Sequence, residues 1–344
     1  MRSITKPSTA CCNVDMYVSY LLSDPLNTNC TRMADVMENI SHDSVNRFLN
    51  RENFTAKDLF DEEKSDIDLV NGTLSIDDSV LDKPYSDPKK AALIDMFWSG
   101  KHKRVVKGIN LITLYHTDVN GVSVPVNFRL YNKSENKTKN DHFIEMLNEV
   151  IEWGISPAWV TGDSWYSSLQ NLKYIRKKNL NFMFAIENNR LISIERGQYI
   201  QIQTLEDWSN NENTVYLKDY GLVKVFRQIY KKMYRYYIMS TFDLENLSSI
   251  SYANFESVHV FHWGIEQFHR AVKQVCNIEK FQVRNELPIR NHIFCAIKGF
   301  VNLELMRAQN VIAHWYEVKR DLFLEIIRNY VLNNSSPTTG AVNA

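Results

Sequence analysis

The chain has no excess charge of either sign: 40 Lys and Arg stand against 40 Asp and Glu in 344 residues. No global field therefore draws it to nucleic acid or to a membrane, and any such partner must be met by local patches. It also lacks paired cysteines. Cys11, Cys12, Cys30, Cys276 and Cys295 form no Cys-x-x-Cys motif and are odd in number, which argues for free thiols in a reducing cytoplasm. No run of about 18 apolar residues occurs, and the N-terminal stretch has no apolar signal core, so the expectation is a protein neither exported nor membrane-spanning. Internal repeats and low-complexity tracts are missing too, and only the tail, residues 331–344, reads as disordered. What is present is 44% apolar residues, enough to build the core of one large or two modest domains.

Taken in order, residues 1–65 read as a helical N-terminal module. The segment VDMYVSYLL can start a helix, and residues 31–53 form two short helices about a turn at Ile40 to Asp43, with Ser41 or Asp43 as the cap. That spacing is compatible with a helix-turn-helix that reads DNA, and equally with any helical hairpin. The acidic DLFDEEKSDID that follows reads as a linker. From Gly72 the pattern turns to strands, GTLSIDDSV, GINLITLYHTD and VSVPVNFRLYN, the last two joined by an Asn120-Gly121 hairpin turn. A helix over 139–154, a short buried strand in PAWVTGDSWY, a helix in SLQNLKYIRKKN and a strand in NFMFAIE complete the series. The fold class is therefore α/β, in the order β-β-β-α-β-α-β of a ribonuclease-H-like core (66–187) before its last helix. A β-rich insertion over 188–256 precedes that helix, and 257–330 holds it with the C-terminal helices.

The late helix, VHVFHWGIEQFHRAVKQVC, carries two stripes. Val258, Phe261, Ile265, Phe268, Val272 and Val275 step by three and four as a core face, and His259, His262, Glu266, His269, Arg270 and Lys273 repeat beside them. Three histidines, an arginine and a lysine around one acid form either a site or an ordinary polar edge. In the first strand, period-two alternation puts Asp78 with Leu74, Ile76 and Val80, on the core side, and Asp77 on the other. A buried carboxylate needs a cation, a hydrogen-bond network or a metal, whereas a strand-end acid needs none of these. Asp163 leaves the short buried strand where the chain turns toward a helix, a position for a ligand-binding acid or for an N-cap. Three acids that converge would repel, and hard divalent cations answer that repulsion with oxygen ligands.

Together, SIDDSVLDKPYS, FWSGKHKRVVKGINLITLYHTD, PVNFRLYNKSENKTKND, VTGDSWYSS and the late helix resemble a D-D-E transposase of a bacterial insertion sequence, over roughly residues 30 to 325. The helix is similar to the family signature Y-(2)-R-(3)-E-(6)-K, with Glu266 and Lys273 in place and His259 and His262 where the family has tyrosine and arginine. The resemblance implies a ribonuclease-H-like DNA transposase that cuts at transposon ends and transfers the strand to target DNA. It implies Asp78, Asp163 and Glu266 as catalytic metal ligands for Mg²⁺ or Mn²⁺, two ions in all. It further implies inverted-repeat and target DNA as partners, a homodimer in the synaptic complex, no membrane partner, and a place with the bacterial nucleoid. Lys273, His262, His259 and Arg270 would meet DNA phosphates, His262 only when protonated, with Glu266 beside it raising its pKa. Between Lys83 and Lys107 seven Lys or Arg face only Asp87 and Asp95, and Lys101, Lys103 and Arg104 in this patch would track phosphates, if it is not simply a solvated hairpin edge. Trp208 would stack on a displaced base or pack within the insertion. Two alternatives remain at this point: a catalytically impaired or domesticated DNA-binding descendant, and a ribonuclease-H-like nuclease without strand transfer.

Overall fold

The computed structural model describes residues 11–24, 29–37 and 39–318. The expectation for the tail, and for any helix beyond 318, falls outside these residues. Four short helices come first: α1 (Val14–Ser23), α2 (Cys30–Val36), α3 (His42–Arg51) and α4 (Ala56–Glu63). Each is started by the side chain expected of a cap: Asn13, Asn29, Ser41 and Thr55 accept from backbone N–H groups of the first turn, and Asp58 returns the bond to Thr55. The acidic stretch read as a linker is thus helix α4. Its inner face explains the difference, because Leu59 and Phe60 are buried and Phe60 packs against Trp153.

The sheet begins with β1 (Thr73–Asp82) and the short β2 (Asp95–Ser99), a strand the sequence reading omits. The long β3 (Arg104–Thr117) and β4 (Ser123–Tyr131) follow. β3 pairs antiparallel with β1 on one side and with β2 and β4 on the other. After α5 (Lys139–Glu152), strand β5 (Trp159–Gly162) lies parallel to β1. After α6 (Leu169–Lys177), strand β6 (Asn181–Ile186) lies parallel to β5. The expected insertion is present as β7 (Leu191–Ser193), β8 (Ile200–Gln201), β9 (Glu212–Leu217), β10 (Gly221–Tyr230) and β11 (Met233–Ser240). It continues the same sheet, because β11 pairs antiparallel with β6. The result is a mixed α/β fold around one large central sheet.

Two long helices finish the described chain, α7 (Tyr252–Gln274) and α8 (Glu286–Ala308). α7 lies over β1, and α8 is buried along most of its length, with α1 and α3 packed on it. Phe54 stacks on Phe294 with ring centroids 4.3 Å apart, and Tyr17 bonds His292 at 2.9 Å, so the N-terminal helices share a core with the C-terminal one. No described helix is long and apolar enough to cross a membrane.

Candidate active site

β1 is covered on both faces, which removes the usual meaning of alternation: an apolar register does not say which cover carries the chemistry. Ser75 bonds Thr161 of β5 at 2.8 Å, and Thr161 lies 3.1 Å from His262 Nδ1 on α7. Odd-numbered residues of β1 therefore face α7. Asp77 is the next of them, and its Oδ2 lies 3.4 Å from His269 Nδ1. Asp78 turns to the other face. There it accepts from Asn110 at 2.6 Å, from Tyr166 at 3.1 Å and from the Lys139 ammonium at 2.6 Å, beneath the start of α5. The side chain of Asp78 is thus drawn toward α5, while the residue still lines one cavity with Glu266. The apolar residues Leu74 and Ile76 mark the α5 side, and the side toward α7 is the more polar one.

Asp163 follows β5 directly. Since Ser75 pairs with Thr161 and Ile76 with Gly162 in parallel register, the next residues along are Asp77 and Asp163, and the backbone at Asp163 is still extended. Asp163 also caps a 3-10 turn by accepting from Trp165 N–H at 2.9 Å, so the cap and the site-acid readings hold together. Burial pushes its carboxyl up to about 7, with the charges of Asp77 and then Asp78 adding to the rise. Glu266, on an exposed part of α7, is raised by desolvation and next by Asp77. Asp77 therefore acts electrostatically on both Asp163 and Glu266. A cavity of about 290 Å³ opens beside Asp77 and Glu266, lined also by Asp78, Lys101, His269 and Lys273. Among the described residues no group of three or more His, Cys, Asp or Glu side chains is placed to hold a metal ion. Sequence reasoning missed Lys139, Tyr166 and Asn110, which come from three separate elements, and it dismissed Asp77.

A family model for the transposase DDE domain matches residues 71–297, well over half of the chain. The chain belongs to this transposase family. The match spans β1, β5 and α7, the elements that carry Asp77, Asp163 and Glu266, and members of the family use divalent metal ions. No curated protein sequence matches the chain. Among solved structures, the Drosophila P element transposase strand transfer complex is similar at 11% identity and a TM-score of 0.29, covering 95% of this chain and 88% of that one. The family match alone decides the membership.

The transposase places its expected DNA contacts in several different settings. Lys273 lines the cavity, but its ammonium is held by the Val80 carbonyl at 2.6 Å and lies 3.5 Å from Glu279, and burial lowers its pKa. His262 departs from expectation. Burial pushes its pKa down to about 4, outweighing the upward pull of Asp77, so it is a neutral ring against Thr161. His259 is likewise lowered by burial and packs edge-on against Tyr237, 3.1 Å from its hydroxyl. Arg270 points to a different hollow, between α7 and the segment after α8, with Glu304, Arg307 and Trp315. Phe261, read as a core residue, is exposed on that side. Lys101 and His102 sit at Asp82, 3.3 and 2.7 Å away, while Lys103 and Arg104 are exposed at the β2–β3 turn. Lys83 leaves the expected patch altogether: it is buried over the Phe281 ring, donates to two carbonyls, and desolvation lowers its pKa to about 7. Trp208 is packed against Tyr236 and bonded to the Leu205 carbonyl.

Proposed function

We propose that Asp77, Asp163 and Glu266 are the catalytic carboxylates of this transposase, and that it cleaves DNA at the ends of its element and joins the freed 3′ hydroxyl to target DNA. The observation that supports this is that burial, and next the charge of Asp77 on the α7 side of the sheet, raises the pKa of both Asp163 and Glu266. An all-oxygen donor set with such uncompensated repulsion fits Mg²⁺ or Mn²⁺, two ions for three carboxylates. Bound there, the cations supply charge stabilisation at the scissile phosphate and a more acidic attacking water. The chain's own residues do the rest. His269 and Thr113 support Asp77, Thr161 anchors His262 at the foot of the site, and Lys139, Asn110 and Tyr166 hold Asp78 on the far face so that β1 stays in register.

The strand order β4-β3-β1-β5-β6 with α7 across β1 supports a ribonuclease-H-like core carrying β7 to β11 as its insertion. Lys101, Lys103 and Arg104, close to the cavity, are the first candidates for phosphate contacts, with Lys273 behind them. The N-terminal helices would read the inverted repeats, two copies would hold the paired ends, and the nucleoid is where the DNA of a bacterial element lies. The histidines at 259 and 262 have structural partners here, Tyr237 and Thr161, and in this reading they make no phosphate contact. Uncut element ends incubated with plasmid and Mg²⁺ test the reading. Joined products are expected; cutting without joining would leave a nuclease, and neither would leave a DNA-binding descendant.

A further inference from the structure

The hairpin of β10 and β11 turns through Lys231 and Lys232 alone, since Tyr230 pairs with Met233. Both lysines have positive φ, 47° and 69°. A two-residue turn of this kind is ordinarily filled by Asn-Gly, which adopts it without strain. Two lysines are therefore held in a backbone that Asn-Gly would adopt with less strain, Lys231 with its ammonium 5.3 Å from the Tyr230 ring centroid. From Gly221 to Ser240 there are five Lys or Arg and no Asp or Glu. Lys224 is turned inward to Glu212 at 2.9 Å, but Lys231, Lys232 and Arg235 are exposed and form no salt bridge among the described residues.

The same tip exposes large apolar groups: Ile229 and Met233 are each 70% exposed, and Tyr230 and Tyr234 are 43% and 41% exposed. Alternation places Met233, Arg235, Tyr237 and Met239 on one face of β11. Tyr237 packs on His259 of α7, so Met233 and Arg235 extend that face past the helix toward solvent. Arg235 lies over the Tyr230 ring at 3.8 Å, and its charge reaches both His259 and Glu266. A basic, acid-free projection with apolar residues at its point, beside the carboxylates, has the complementarity of a wedge for DNA.

We propose that this hairpin tip enters duplex DNA next to the cleavage site, Met233 and Tyr230 pressing between unstacked bases while Lys231 and Lys232 straddle the backbone. The proposal rests on the transposase assignment for its partner. Apolar wedges of this kind unstack a base step at a cost that a mismatch lowers, so wild type should bind a mixed-sequence duplex with a central mismatch roughly tenfold more tightly than the matched duplex. A 2-aminopurine at the mismatch should brighten on binding. Tyr230→Ser with Met233→Ser should remove both the preference and the brightening. Lys231→Asn with Lys232→Gly should raise the thermal midpoint by relieving the turn, yet lower the slope of log affinity against log salt by about 2, one unit for each lost phosphate contact. Equal affinity for the two duplexes in wild type, or an unchanged salt slope in the lysine variant, would overturn the wedge. Absence of binding to either duplex would instead count against the DNA-binding reading itself.

Discussion

Asp77 and Asp78 are neighbours with opposite duties. Asp77 belongs to the α7 side, with His269 and within the field of Asp163 and Glu266, whereas Asp78 closes an ion pair and two hydrogen bonds on the α5 side. Asp77→Asn is expected to lower cleavage by about three orders of magnitude or more and leave the midpoint of unfolding nearly unchanged. Asp78→Asn should do the reverse, losing roughly 1–3 kcal/mol of stability because Lys139 and Tyr166 lose a charged partner, with cleavage largely kept. Loss of cleavage confined to Asp78→Asn would restore the register argument. Asp163 gives a second measurement. Its folded pKa, about 7, lies above its ordinary 3.8, so between these values the folded state binds the extra proton and the metal-free protein loses this contribution as pH rises. The midpoint of Asp163→Asn minus that of wild type should therefore grow from pH 5 to pH 8, and Mg²⁺ should stabilise wild type more than the variant. A difference that is flat with pH and indifferent to Mg²⁺ would show that Asp163 faces no repulsion.

At the scale of the element, α7 is held at both ends. Its start is capped by Ser251 and Asn254 and stacked through Phe255 on Phe226, with ring centroids 4.9 Å apart, and its C-terminal half packs Phe268 against Tyr115 and Phe300. Glu266 sits between these anchors, which is why one acid on a long exposed face can be positioned. The N-terminal helices are just as firmly built in. Asn291 of α8 donates to the Leu49 and Glu52 carbonyls, and Lys298 pairs with Glu62. Removing residues 1–65 is thus expected to abolish cooperative unfolding, because it uncovers α8 and not merely a DNA-reading surface. A truncated protein with a sharp transition and unchanged circular dichroism per residue would show the N-terminal helices to be independent. End recognition is better sought with exposed substitutions on α3, such as Arg47→Ala, which is expected to weaken DNA binding while the midpoint holds.

The molecule as a whole carries a set of histidines, three buried and two half-buried, whose pKa values are lowered. His292 is pushed down to about 3 and His262 to about 4, and His116, His142 and His259 are also lowered, desolvation being the first cause in every case. Their folded pKa values lie below the ordinary 6.5, so the stability they confer is complete above that pH and is lost as pH falls toward about 4, where the unfolded chain takes up protons first. The transposase should therefore melt at progressively lower temperature from about pH 6.5 to pH 4. His292→Gln, less stable at neutral pH because it loses part of the bond with Tyr17, should fall less steeply over that range. Parallel slopes for the two proteins would mean that His292 is not buried neutral.

Much of this protein is settled by local chemistry and so is legible in the sequence. Ser41 caps α3, Asp163 caps its turn, the hairpin at Asn120-Gly121 joins β3 to β4, and Glu266 lies on a helix with a polar flank, all from interactions within a few residues. The position of Lys83 was decided otherwise: a lysine in a basic run looks exposed until Phe281 and two carbonyls from nearly two hundred residues away close over it. The choice between Asp77 and Asp78 is of the same kind. Alternation fixes that the two side chains oppose each other, but β1 is buried on both faces, and only the packing of α7 and the start of α5 around it determines which acid faces α7. His262 lost its charge for the same reason, since desolvation depends on what surrounds a residue in space and not on what precedes it in the chain.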